Sequence, residues 1–352
     1  MSTLQISLAA GGLLILLGLV LHSAWSARKN LPKQAAPKPA AGLEAAPAQP
    51  PGTPTERQEP SFDSDAGLAA LTQFTTPERK PMLDSLIDAI AAVTLDSPVS
   101  GDAALAAMPA TRRVGSKPFA IEGLSVAGGE WEVPSAGQRY SAFQCGIQLA
   151  NRTGALNQIE YSEFVMKTQA FVDAIGGVVE FAEMQDEVAR ARELDQFASA
   201  HDAQLGSNLR AVQTSWSPGY VRQNAAGLGF APTPIAGRMV LPSGVPGQGP
   251  ILGLNFDSQA ALAEEPEQTA LRELSLSLDV PQVLRSEKPF ARMCEVAIAL
   301  AGKMDGVIID DNGNLIRPEA MEVIHADLEQ LYDRLDAREL SAGSVLGRRL
   351  FS

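Results

Sequence analysis

The sequence predicts an α+β protein with one N-terminal transmembrane helix, a disordered linker, and then an antiparallel sheet with helices on one face, present in two tandem copies. Three observations predict this arrangement. Residues 4–27 carry no formal charge, residues 31–60 hold eight prolines and seven alanines, and an offset of 129 residues relates two later stretches. With 352 residues, the chain is long enough for two modest domains beside the anchor and the linker.

Composition excludes several classes of protein. The formal net charge is −13 and the chain has no basic tract, so it is a poor candidate for binding nucleic acid. Two cysteines cannot form a disulfide framework, and three histidines leave few sets of metal ligands. These counts fit a reducing compartment.

Residues 1–27 are predicted to be a transmembrane anchor. The 24 uncharged residues 4–27 reach roughly 36 Å as a helix, which is enough to cross a hydrocarbon core of about 30 Å. A cleaved signal peptide is the alternative, but it would carry a positive charge before the apolar run, and here none precedes it. Trp25 fits a membrane interface, and Arg28 and Lys29 follow it. Positive charge on this side alone predicts a periplasmic N-terminus and cytoplasmic domains, in a single-pass protein of the inner membrane.

His22 lies near the cytoplasmic end of this apolar run. An ionisable group inside a membrane is a functional hypothesis, but a neutral imidazole so close to the interface can also reach the headgroups. Both interpretations stay open.

Residues 28–81 are predicted to be a disordered, Pro/Ala-rich linker. Such a composition cannot bury enough apolar surface to offset the entropy of ordering. A flexible coil of this length has an end-to-end distance of about 40 Å, and proline extends it further. Residues 81–352 hold 21 Lys or Arg and 35 Asp or Glu, a net charge of −14, so an anionic membrane surface would repel them.

Two α+β units are predicted to follow, over residues 82–203 and 204–340, with a flexible tail at residues 341–352. Alternating apolar residues predict strands, and helical periodicity predicts amphipathic helices. Adding 129 to the residue number relates Cys145 to Leu274, Tyr161 to Phe290 and Gly177 to Gly306, which covers a strand, a helix and a second strand. Chance similarity between two αβ stretches is the alternative to a duplication. The predicted strands are residues 86–93, 145–149, 208–215 and 274–278, the predicted helices are residues 161–175 and 290–303, and a hairpin is predicted around residues 312–313.

No motif in the sequence supports catalysis or cofactor binding. Residues 310–314 (DDNGN) resemble a calcium loop, but the glycine falls too early and Met321 stands where the closing glutamate is required. Cys145 and Cys294 are expected to be small core hydrophobes. We therefore predict a protein that is not an enzyme and that has no catalytic residues, metal or cofactor.

Two stretches carry a resemblance to the ZipA family of bacterial cell-division proteins. Residues 21–29 (LHSAWSARK) resemble the exit of that family's membrane anchor. Residues 290–318, which include MDGVIIDD and a closing IRP, resemble the final helix and hairpin of its C-terminal domain. Residues 249–252 and 274–281 fit two central strands of the same domain.

The resemblance implies that the C-terminal unit binds the C-terminal peptide of FtsZ and so tethers FtsZ filaments to the inner membrane during septum assembly. In the family, the open face of the sheet forms a shallow apolar groove for this peptide. The alternative is a membrane-tethered enzyme or ligand sensor with tandem α+β units. The chain departs from the family in its second unit and in the polar residues of one central strand. The groove candidates, some of which could equally be core, are Met239, Leu241, Leu252, Leu254, Phe256, Ser275 and Ser277.

Overall fold

The computed structural model describes residues 32–35, 83–310, 313–316 and 318–352. The predicted anchor, His22 and most of the predicted linker lie outside this part of the chain. Within it, no helix is both long enough and apolar enough to cross a membrane.

Contacts divide the chain into two compact units. Among the described residues, the first unit comprises residues 83–148 and 157–187, and the second unit comprises residues 32–35, 149–156 and 188–352. This division differs from the boundary expected between residues 203 and 204. Two interactions explain why the preceding segments belong to the second unit. The guanidinium of Arg338 lies 4.4 Å from the ring centroid of Phe197, and Arg152 pairs with Asp279 at 2.7 Å.

The first unit is built on an antiparallel sheet with the strand order β2-β3-β5-β1-β8, in which β4 also pairs with β3. Two helices accompany the sheet. The strands are β1 (Asp88–Ser100), β2 (Arg113–Val114), β3 (Lys117–Ser125), β4 (Trp131–Glu132), β5 (Arg139–Gln148) and β8 (Gly177–Glu180), and the helices are α1 (Gly101–Ala107) and α2 (Gln158–Ile175).

Aromatic rings join α2 to the sheet of the first unit. The ring centroid of Phe164 lies 6.0 Å from that of Phe119 in β3, and the ring centroid of Phe171 lies 5.3 Å from that of Phe143 in β5. Both pairs of rings meet edge to face. Helix α2 begins at a capping box, because Asn157 accepts hydrogen bonds from the backbone of the first turn and Glu160 reaches back to the amide of residue 157. It ends at residue 176, a glycine with φ 70°. The structure confirms this helix and the strand predicted from residues 145–149.

The second unit has a six-stranded antiparallel sheet with the order β10-β11-β12-β13-β9-β14, and a separate pair β6-β7. Its strands are β6 (Ala150–Asn151), β7 (Gly154–Ala155), β9 (Gln204–Ala211), β10 (Ala231–Pro232), β11 (Arg238–Leu241), β12 (Leu252–Asn255), β13 (Glu273–Asp279) and β14 (Gly306–Ile309). Its helices are α3 (Met184–His201, which begins in the first unit), α4 (Pro218–Ala226), α5 (Ser258–Leu262), α6 (Pro289–Met304), α7 (Pro318–Asp336) and α8 (Val345–Leu350), with 3₁₀ turns at Val280–Gln282 and Arg285–Glu287.

Helix α6 covers the inner face of this sheet. Its apolar residues recur at intervals of three and four, so they form one stripe along the helix. The stripe is buried, as are the leucines of β13 that alternate with serines. The buried residues of the stripe are Met293, Val296, Ala297, Leu300 and Met304, and those of β13 are Leu274, Leu276 and Leu278.

The two sheets share a strand order. In the first unit the order β3-β5-β1-β8 places β1 between β5 and β8, and in the second unit the order β12-β13-β9-β14 places β9 between β13 and β14. Gln144 and Glu273, which are 129 residues apart, lie opposite Ala92 and Arg210 on the corresponding strands. Common topology is what a duplication predicts, and the duplication itself stays a prediction.

The two sides of the predicted hairpin pair with each other at residues 308–310 and 313–316, and residues 311–312 of the predicted turn lie outside the described residues. The amide of Asp310 donates to the carbonyl of Asn314 at 2.9 Å, and Gly313 has a φ of 82°, which a side chain would disfavour. Ile309 and Leu315 form an isolated bridge.

Residues 341–352 are not the flexible tail that we expected. Leu350 and Phe351 are almost completely buried. The side-chain amide of Gln282 donates hydrogen bonds to the backbone carbonyls of Arg348 and Phe351, at 3.1 Å and 2.6 Å. The physical reason is the short helix α8, which buries Leu350 and the following residue Phe351 in the second unit.

Candidate partner-binding surface

Four of the apolar groove candidates lie in the core of the second unit. Met239, Leu241, Leu252 and Leu254 are between 0 and 5% exposed. Met239 lies opposite Leu254, which in turn lies opposite Leu276 of β13, so all of them project towards the buried face. They are unavailable to a partner on the outer face, and this corrects their expected location.

The outer face of the sheet carries small and polar side chains instead. Because facing residues of paired strands lie on the same side of a sheet, rows can be followed across it. One row runs through Val240, Gly253, Ser277 and Gly206, and the next runs through Arg238, Asn255, Ser275 and Asn208. Ser277 is exposed and Ser275 is half-buried, so these two candidates lie on the accessible surface.

Phe256 lies just beyond the end of β12 and is half-buried. Its amide donates to the carbonyl of Gly237 at 2.9 Å, which holds the backbone against the turn before β11. Phe256 is therefore the one aromatic candidate with accessible surface.

The row of Gly253, Ser277 and Gly206 crosses three strands and carries no large side chain, and we call it the furrow. A Cβ atom at residue 253 would lie 2.5 Å from the Ser277 Oγ, so the Ser277 side chain covers that glycine. Residue 206, on the other side of Ser277, is an exposed glycine. Glycine at residue 206 lets another backbone approach the sheet closely on that side.

Ion pairs flank this furrow at both ends of β13. Arg210 Nε lies 2.6 Å from a Glu273 carboxylate oxygen. At the other end, Arg152 donates to both Asp279 and Asp202, and the hydrogen bonds to Asp279 and then to Asp202 raise the pKa of the Arg152 guanidinium. The face as a whole is polar, whereas the family resemblance implied an apolar groove.

An open groove of about 500 Å³ lies beside the start of α6 and along α7. The sequence did not predict this groove. Arg285 pairs there with Glu329 and Asp333, and its guanidinium lies 5.4 Å from the ring centroid of Tyr332. Burial, followed by the negative charge of Glu329, raises the pKa of Tyr332 to about 12. No local motif marks this groove, because its residues come from separate elements.

Among the described residues, no group of three or more His, Cys, Asp or Glu side chains could hold a metal ion. Cys145 is completely buried, and burial raises the pKa of its thiol to about 12. Cys294 is half-buried, and burial raises its pKa as well. The Nδ1 atom of His201 lies 2.7 Å from the carbonyl oxygen of Phe197, and the ring of His325 stacks on Phe290 at 6.4 Å. The expectation that Cys145 is a core hydrophobe is confirmed.

Solved structures of berberine bridge enzyme match this chain weakly. A variant of berberine bridge enzyme matches with 11% identity and a TM-score of 0.15, over 60% of this chain and 41% of that chain. Berberine bridge enzyme from Eschscholzia californica matches with 11% identity and a TM-score of 0.16, over 73% of this chain and 55% of that one. The chain thus spans about half the length of these enzymes, and such TM-scores indicate neither a common fold nor a common activity. No curated protein sequence matches the chain significantly.

A family comparison gives a specific result. Residues 256–327 match the family described as ZipA, C-terminal FtsZ-binding domain. The match begins at the end of β12 and includes β13, α6, β14 and the hairpin, that is, the central strand of the sheet and the helix that covers its inner face. The resemblance to the ZipA family is confirmed for this part of the second unit.

Proposed function

We propose that this chain is a non-enzymatic cell-division protein that tethers FtsZ filaments to the inner membrane through its second unit. The match of residues 256–327 to the ZipA C-terminal FtsZ-binding domain carries the proposal. The uncharged run of residues 4–27 and the basic residues after it support a membrane anchor with cytoplasmic units.

The mechanism is attachment at two points. The anchor would hold the chain in the bilayer, and the outer face of the sheet would hold the C-terminal peptide of FtsZ. Confinement at a membrane raises the effective concentration of the binding unit, so a modest affinity for each peptide is sufficient to retain a filament with many such peptides.

The polar outer face suggests how the peptide is bound. We place its backbone over the furrow at Gly253, Ser277 and Gly206, which carries no large side chain. The Asn255 and Ser275 side chains in the adjacent row can hydrogen-bond to peptide groups. Phe256 would provide an apolar contact at the end of the furrow.

We also propose that the two units are copies of one ancestral domain. The shared strand order and the 129-residue offset support this. Only the second unit contains the family match, so we assign peptide binding to it.

The test is titration of a labelled FtsZ C-terminal peptide onto the full chain and onto Ser277→Arg. A long cationic side chain at residue 277 would fill the furrow, so we expect the peptide to bind at least about tenfold more weakly, equivalent to about 1.4 kcal/mol. Ser286→Arg is the matched control, because Ser286 is exposed in the 3₁₀ turn Arg285–Glu287, away from the strand rows. Circular dichroism establishes that both variants are folded.

Two outcomes would count against the proposal. Equal affinities of wild type and Ser277→Arg would remove this face as the peptide site. No binding to the wild-type chain would require the FtsZ assignment to be abandoned.

A further inference from the structure

Residues 32–35, which come directly after the basic end of the predicted anchor, pair with the second unit. The Lys33 amide donates to the Ser215 carbonyl at 2.7 Å, and the Ser217 amide donates to the Lys33 carbonyl at 2.9 Å. This is a parallel bridge between Lys33 and Trp216. On its other side, Trp216 exchanges two backbone hydrogen bonds of 2.8 Å with Leu271, so Lys33 is the outer member of a three-stranded ladder.

The groups that Lys33 satisfies are covered when residues 32–35 lie against them. Ser215 is then 6% exposed and Ser217 is fully buried. A buried backbone amide or carbonyl without a hydrogen bond is costly, and both of these groups have a partner in Lys33.

The Lys33 side chain makes a second contact, at the end of α6. Its Nζ donates to the carbonyl of Met304 at 3.0 Å and lies 3.6 Å from an Asp305 carboxylate oxygen. Met304 is the last residue of α6, where the helix dipole favours a cation. The same carbonyl accepts a hydrogen bond from the Trp216 indole at 2.8 Å, so backbone and side chain of Lys33 are fixed to one small area.

The residues on both sides of Lys33 add to this contact. Pro32 is buried, and the Gln34 side-chain amide donates to the carbonyl of Glu267 at 3.3 Å. The edge at Ser215–Ser217 therefore fits an extended segment that carries a lysine, and residues 32–35 supply one.

We propose that residues 32–35 are a docking strand that holds the second unit directly beside the membrane anchor. Of the proposed function, this inference uses only the membrane anchor. Lys33 comes six residues after Ala27, which limits the distance between them to about 20 Å in an extended chain. A free linker over residues 28–81 would instead have an end-to-end distance of about 40 Å. The second unit is thus kept near the bilayer, and the residues between 35 and 83 connect the docking strand to the first unit.

Hydrogen exchange of the Ser217 amide tests the docking, with Lys33→Pro and Ala35→Pro compared in the full chain. Lys33→Pro removes the amide that donates to Ser215 and the side chain that reaches Met304. Ala35→Pro introduces proline two residues later, and it leaves in place both backbone bonds of Lys33 and the bond from Gln34 to Glu267. We expect the Ser217 amide to exchange at least about tenfold faster in Lys33→Pro and at the wild-type rate in Ala35→Pro. Equal rates in all three proteins would overturn the docking strand.

Energy transfer in nanodiscs tests the effect on distance, with a fluorescent protein fused after residue 352 and an acceptor on the lipid headgroups. Deleting residues 40–66 halves the 54-residue linker. We expect no change in transfer in the docked wild type. In Lys33→Pro the linker alone sets the distance, so the deletion would shorten it from about 40 to about 29 Å and raise the transfer.

An equal response to the deletion in both backgrounds would contradict the inference. Binding of the FtsZ peptide, measured on the same proteins, separates this result from the proposed function. A chain that docks residues 32–35 and does not bind the peptide refutes the function alone. A chain that binds the peptide without docking refutes only the docking strand.

Discussion

Cys145 links burial to pH dependence at the scale of a single residue. Its side chain is completely buried in β5, and burial raises the pKa of the thiol from 9.0 to about 12. In the unfolded chain the thiol ionises near pH 9, whereas in the folded chain it stays protonated. A raised pKa therefore contributes stability that is present below pH 9 and is lost as the pH rises towards 12.

We expect Cys145→Ala to lose less stability than the wild type between pH 8 and pH 10. The difference should be about 1 kcal/mol, because one pKa unit corresponds to 1.36 kcal/mol. Urea unfolding at both pH values measures this difference. A cavity created by the substitution lowers the free energy of unfolding equally at both pH values, so its effect cancels. The same pH dependence in both proteins would show that the thiol ionises equally in the folded and unfolded states.

At the scale of elements, the strand β12 separates core residues from surface residues. Leu254 is fully buried opposite Leu276, whereas Gly253 lies on the outer face opposite Ser277. A groove candidate chosen for its apolar side chain is therefore a core residue here.

Leu254→Ala should lower the free energy of unfolding by about 2–5 kcal/mol, because it leaves a cavity in the core. Leu262→Ala is the matched control, because Leu262 is 74% exposed and its truncation should change stability by less than about 0.5 kcal/mol. Chemical denaturation measures both. A small effect of Leu254→Ala would place this side chain outside the core and return it to the candidate surface.

Long elements could be predicted from their periodicity, and short ones could not. The alternation of Leu274, Leu276 and Leu278 with serines identified β13 and assigned its serines to the outer face, which the structure confirms. Strands β11 and β12 have only four residues each, so the sequence does not distinguish their two faces.

The two docked segments could not be predicted from the sequence either, for a different physical reason. Residues 32–35 are held by backbone hydrogen bonds and one lysine, and α8 is held by a few buried side chains at the end of the chain. Neither segment is long enough for its own pattern to predict a packed structure, because the partner surfaces come from distant parts of the sequence.

At the scale of the whole molecule, the chain combines two sheets of the same strand order with a long Pro/Ala-rich segment before them. Only the second unit carries both the family match and the contact with residues 32–35. The family match supports the proposal that the unit that comes later in the sequence binds the partner.

Co-sedimentation of FtsZ filaments with liposomes that carry the full chain measures tethering itself. We expect filaments to sediment with liposomes containing the wild-type protein, and we expect Ser277→Arg to reduce the bound fraction while Ser286→Arg does not. If liposomes with the wild-type protein retain no more FtsZ than protein-free liposomes, the chain does not tether FtsZ.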